Sequence, residues 1–119
     1  MRPVDSGTYT PTLTNTTNLA GSTAYQCQYL RIGTTVLVSG KVDVNPTTAG
    51  SAALLGISLP IVSNIGAVED CAGTACGTAV ASETAAIIGD AANNRASMSW
   101  IVVDDANHAM FFTFAYQVI

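Results

Sequence analysis

The stretch Thr35-Val-Leu-Val-Ser-Gly-Lys-Val-Asp-Val44 decides the fold class. Val36, Val38, Gly40, Val42 and Val44 fall on one side of an extended chain, and Leu37, Ser39, Lys41 and Asp43 on the other. Apolar β-branched residues at period two mark a strand with one covered face and one wetter face. Gly40 in its middle predicts a bulge or a close backbone approach. Just upstream, Tyr25, Cys27, Tyr29 and Arg31 alternate with Gln26, Gln28 and Leu30, and Gly33-Thr34 between the two runs supplies a hairpin turn.

The C-terminus repeats the pattern. Met110, Phe112, Phe114, Tyr116 and Val118 share one side, and Phe111, Thr113, Ala115 and Gln117 the other. Before them, Met98, Trp100 and Val102 alternate with Ser97, Ser99, Ile101 and Val103. Asp104-Asp105-Ala106-Asn107 has the side chains that bond their own backbone in turns, so residues 95–118 are expected to form a second hairpin. Elsewhere the signal is weaker. Short strands are expected at Leu54–Leu59, which stops at Pro60, at Thr84–Ile88, and once or twice within 68–81, where Gly73, Gly77 and the threonines oppose a helix. Thr8–Thr14 reads as an edge strand, the one place where Pro11 is tolerable. Asn15–Gly21 reads as a polar loop and Asp90–Asn94 as a turn.

Seven or eight short strands with this spacing predict an all-β fold, an antiparallel β-sandwich of jelly-roll type. The 119 residues make a single domain, 1–119, with residues 1–7 as a flexible or linking N-terminal segment. Only 10% of the residues are charged, against about 25% in an ordinary soluble domain. Yet 49% are hydrophobic and the mean hydropathy is +0.38. A domain of this size cannot hide that excess internally, so part of its surface is expected to be buried against identical copies.

Composition excludes several partners. Net charge is −4, and the four basic residues, Arg2, Arg31, Lys41 and Arg95, form no patch that could track a phosphate backbone. No nucleic acid is expected. The longest strongly apolar run, Ala109–Tyr116, is far short of the roughly 20 residues of a spanning helix, so no membrane insertion is expected. The N-terminal residues carry no apolar stretch of the kind a secretory signal needs.

Chemistry-bearing groups are few. His108 is the lone histidine, placed where Asp104 or Asp105 could orient it, but no nucleophile motif accompanies it. Asp104-Asp105 with Asn107 lacks the oxygen count and loop pattern of a calcium site, and one His without C-x-x-C gives no zinc set. Glu69, Asp70, Glu83, Asp90 and Asp43 are too scattered for the spacing to select a catalytic carboxylate pair. No catalytic residue, metal or cofactor is expected. The three cysteines, Cys27, Cys71 and Cys76, read as small buried thiols; Cys71 and Cys76 could pair only through a sharp turn at 72–75. Tyr25 and Tyr29 could stack on sugar rings, whereas Trp100 and the 110–118 stripe read as core. The residues expected to meet a receptor or glycan are therefore Tyr25, Tyr29, Asp104, Asp105, Asn107 and His108. They are joined by the loops Asn45–Gly50, Asp90–Asn94 and Asp104–His108.

Several segments carry a family resemblance. Gly7-Thr-Tyr-Thr-Pro-Thr-Leu-Thr-Asn15, Tyr29-Leu-Arg-Ile-Gly33 with Val36-Leu-Val-Ser-Gly-Lys-Val42, Gly56-Ile-Ser-Leu-Pro60 and Phe112-Thr-Phe-Ala-Tyr-Gln-Val-Ile119 resemble the C-terminal tip domains of tailed-phage and prophage tail-fibre or minor structural proteins. The resemblance implies an all-β module assembled as a homotrimer on a virion made in the bacterial host cytoplasm. Its partners would be other virion proteins and a bacterial cell-surface glycan or protein. It carries over no catalytic residue. The chain opens on Met with no shaft sequence, which fits an excised tip or a free-standing virion protein. Two other roles are compatible with the composition: trimerisation or capsid decoration without a ligand, and a carbohydrate-binding module.

Overall fold

The computed structural model describes residues 4–78 and 83–119. Among them the chain forms ten strands: β1 (Val4–Tyr9), β2 (Leu13–Thr17), β3 (Leu19–Ala24), β4 (Cys27–Ile32), β5 (Thr35–Pro46), β6 (Ala52–Ile57), β7 (Cys71–Gly77), β8 (Thr84–Asp90), β9 (Arg95–Ile101) and β10 (His108–Gln117). The one helical piece among the described residues is a 3₁₀ turn at Val68–Asp70. There the Asp70 carboxylate accepts from the Gly66 and Ala67 amides.

The strands pair antiparallel in the order β1-β4-β5-β10-β7-β8-β9-β6-β2, with β3 beside β5. The sheet curls into a half-barrel. The two ends of its curled part, β2 and β3, are consecutive in the chain and joined through Asn18, which is in the left-handed region at φ 59. Ser22 Oγ of β3 donates to Asn15 Oδ1 of β2 at 2.6 Å across that gap. The all-β antiparallel expectation holds. The finer expectation of a jelly-roll sandwich is not confirmed: one continuous run of pairing, curled on itself, encloses the core.

Period-two alternation explains where the core sits. Val36, Val38, Val42 and Val44 of β5, Met110, Phe112, Phe114 and Tyr116 of β10, and Met98 and Trp100 of β9 all point inward and are buried. Curvature brings these side chains together, and small inward residues on β7 make room for the rings of β10. Gly73 pairs with Phe114, and a Cβ there would overlap the Thr113 carbonyl oxygen. Gly40 realises the predicted close approach: a Cβ would overlap Cys27 Sγ. Beside Gly40 the edge of β5 changes partner, from β4 over Thr35–Ser39 to β3 over Val42–Pro46.

The segment between β6 and β7 has little regular structure and packs against the core. Ile65 and Ser63 are buried. Tyr116 O–H donates to the Ile61 carbonyl at 2.8 Å, and Tyr9 O–H donates to the Ser58 carbonyl at 2.9 Å. Burial pushes both phenols up, Tyr116 to about 12.

Four sequence expectations need correction. β4 and β5 form the expected hairpin around Gly33, but β9 and β10 do not pair. β10 lies between β5 and β7, and β9 lies between β8 and β6. Alternation assigns a residue to a face and is silent on its neighbour. The six residues between the two strands are long enough to cross the three strand spacings, about 14 Å, that separate them. Asn15–Gly21 is not a loop, because β2 and β3 occupy most of it, and Thr8–Thr14 is split by the Pro11 break between β1 and β2. The linking segment 1–7 is a paired strand from Val4 onward; residues 1–3 lie outside the described residues. So do residues 79–81 of the expected 68–81 strands.

Candidate functional site

The 102–107 link is irregular because Asp104 Oδ1 accepts from the Ala106 amide at 2.9 Å, an Asx turn. His108 follows at the start of β10. It is not a solvated loop residue, being buried beside Glu83. His108 Nδ1 faces the Ala106 carbonyl at 2.7 Å, and Nε2 faces Glu83 Oε1. A carbonyl only accepts, so Nδ1 carries a hydrogen. The Nε2–Oε1 line then holds one further proton between the two groups. Glu83 Oε2 accepts from the Val103 amide at 2.8 Å, so both carboxylate oxygens are used. Among the described residues, the imidazole's partners are thus the Ala106 carbonyl and the Glu83 carboxylate. The pair joins the start of β8 to the β9–β10 link. Sequence reading missed it because 25 residues separate the two groups and no periodicity connects them.

The other expected contact residues divide between faces. Tyr25 stands on the outer, convex side. Its O–H donates to Asp43 Oδ2 at 2.6 Å, which pushes the phenol up, and Lys41 Nζ lies 4.2 Å from its ring centroid. Tyr29 is turned inward and meets Tyr9 edge-on, with centroids 6.3 Å apart. Register places Asp43 opposite Ala109, so Tyr25 shares an end of the sheet with Asp104, Asp105 and Asn107, whereas Tyr29 does not. The Asn45–Gly50 loop belongs to this end too, since the Gly50 amide donates to the Val102 carbonyl at 2.7 Å. Asp90–Asn94 lies at the opposite end. Among the described residues no three of His, Cys, Asp and Glu come together as metal ligands.

The larger feature is the outer face itself. Cross-strand register lines up Leu30, Leu37, Ala115, Ala72, Ile88 and Ser97 in one row, and Gln28, Ser39, Thr113, Thr74, Ala86 and Ser99 in the next. Neither row contains a charge. Leu37, Ile88 and Phe111 are about half exposed on this face, and Ile32 more so. The four ionised groups of this side stand at its rims, each engaged within the chain: Lys41 and Asp43 with Tyr25, and Asp90 with Arg95 at 2.9 Å. Two hollows indent the face. One of about 210 Å³ is lined by Leu30, Ile32, Thr35, Leu37 and Ala115. The other, about 530 Å³, opens among Thr74, Cys76, Thr84, Phe111 and Thr113.

The cysteines follow the same geometry. Cys27 and Cys71 are buried, and burial pushes both thiols up, Cys71 to about 12. Cys76 is exposed, against expectation, and all three are free. An odd separation of five on one strand puts Cys71 inside and Cys76 outside, a signal the sequence already held. Comparison with family models, with curated proteins and with solved structures returns no match to this chain.

Proposed function

We propose that the chain is a structural protein of a bacteriophage particle, a tail-fibre tip or receptor-binding module that works as a homotrimer and attaches to the bacterial surface. The observation that supports the self-assembling part is the outer face, whose two central rows carry no charge and whose apolar residues gain by leaving water. The virion setting rests on the tail-fibre resemblance of the segments quoted above. Attachment would fall to the polar loops 45–50 and 104–107, which share one end of the sheet and would be displayed three times over, with the gain that multivalency brings. Of the two rings expected to stack on sugars, Tyr29 is packed against Tyr9, which leaves Tyr25 alone.

Sedimentation equilibrium tests the assembly: a trimer has three times the 12.2 kDa chain mass, and a clean monomer overturns the reading. Binding of the assembled protein to bacterial cells and to a glycan array tests attachment. Silence on both, with the trimer intact, favours trimerisation or decoration without a ligand.

A further inference from the structure

We infer that His108 and Glu83 form a proton-controlled latch on the 102–107 link, which is held while the pair shares one proton and released when that proton leaves. The inference concerns the order of this link and does not depend on the assembly or attachment proposed above.

The imidazole sits between two acceptors. Nδ1 faces the Ala106 carbonyl at 2.7 Å, and Nε2 faces Glu83 Oε1. A neutral imidazole carries one hydrogen, so it satisfies one of these contacts and turns a lone pair toward the other. The pair therefore needs one more proton, on Nε2 or on the carboxyl group. When that proton leaves, a lone pair opposes a carboxylate. Shifting the remaining hydrogen to Nε2 only moves the conflict to the Ala106 carbonyl. Neither group reaches water, since His108 is 8% exposed and Glu83 1%.

The release is local, because the link's own backbone groups end on this pair. The Val103 amide donates to Glu83 Oε2 at 2.8 Å and the Asp104 amide more loosely at 3.4 Å, while the Ala106 carbonyl faces the ring. On either side of the link the bonding is independent of it. The Val102 amide donates to the Ser51 carbonyl at 3.0 Å, and β10 is held by β5 and β7. Among the described residues no other ionisable group can take the proton's place. Val44 of β5 lies opposite His108, and Gly77 of β7 lies against Glu83 Oε1 with Met110 Sδ beside it. Lys41, Asp43 and Cys76 alternate to the outer side. Asp104 is engaged by the Ala106 amide, and Asp105 is exposed. The sequence 79–82, Ala-Val-Ala-Ser, holds no titratable side chain.

Amide hydrogen exchange of the full chain, read by NMR as protection factors over a pH series, tests the latch. Protection of Val103 should fall at least about tenfold as pH rises, while Val102 keeps its own. In Glu83→Gln the side-chain oxygen can accept from Val103 and the side-chain nitrogen can donate to His108 Nε2, so the pair is satisfied without a shared proton. Val103 of that variant should stay protected over the same series. Wild-type protein whose Val103 protection is constant wherever the fold persists overturns the latch. So does a loss that Val102 shares, which is opening of more than the link, and so does an equal loss in Glu83→Gln, which places the titrating group elsewhere. The wild-type series decides by itself should the variant not fold.

Discussion

A single proton on the His108–Glu83 line ties two distant parts of the chain together. The pair is buried, and Glu83 also receives the Val103 amide. Removing the carboxylate leaves His108 Nε2 and the Val103 backbone N–H without partners. Glu83→Ala should therefore cost about 3–5 kcal/mol, the range for breaking a buried pair. Glu83→Gln is different, because an amide can accept from Val103 with its oxygen and donate to His108 Nε2 with its nitrogen. It should cost no more than about 1 kcal/mol. Urea denaturation of both variants checks the contrast, and equal losses would show that hydrogen-bond capacity at this position is not what matters. Sequence reading singled out both residues as reactive candidates but could not see that each satisfies the other. Burial, which decides it, is a tertiary property.

At the scale of elements, the β8–β9 hairpin illustrates how local chemistry shapes a turn. The Asp90 carboxylate accepts from Asn93 at 3.0 Å and from Arg95 at 2.9 Å, and Asn94 takes the left-handed conformation. The Asn93 hydrogen bond, then Arg95, holds the Asp90 carboxyl below its usual value. A lowered native value means that the ionised form favours the fold. Its contribution is complete above the ordinary carboxylate range and is lost as pH falls through the native value. The stability difference between the wild type and Asp90→Asn should therefore shrink from about pH 5 downward. Thermal denaturation along that pH series checks it; a difference that does not change with pH would remove Asp90 from the account. This turn was legible from Asp90 to Asn94 because its residues bond locally. The partners of β9 and β10 were not, because nothing local in residues 102–107 says which edge the next strand will join. Amide hydrogen exchange tests the observed order. The amides of β10, flanked by β5 and β7, should exchange among the slowest, and those of β1, at the sheet edge, among the fastest. Early exchange of β10 would contradict its central place.

For the whole molecule, the separation of charge from apolar surface has a measurable consequence. Of the charges on the outer side, Asp90 and Arg95 form an ion pair, Lys41 and Asp43 both contact Tyr25, and the two central rows are neutral. Association through that centre should be nearly indifferent to sodium chloride, because there is little Coulomb attraction to screen. Sulfate should strengthen it, as it strengthens apolar burial generally. Sedimentation in both salts checks this, and a steep loss of association in sodium chloride would assign the contact to charged rims instead.

Alternation along residues 35–44 and 110–118 determined by itself that the protein is all-β, and it named the buried side of each of these strands correctly. Period two is a geometric property of any extended chain, so a residue's face can be read without knowing its neighbours. The low charge likewise marked a surface with an excess of apolar area. Only the tertiary structure decided which strands pair, that the sheet curls on itself, and that Glu83 reaches His108. It also decided that Cys76 and Leu37 share the outer face. These are contacts between residues far apart in the chain. They are chosen by how all the strands together can cover one core, and no single segment holds that information.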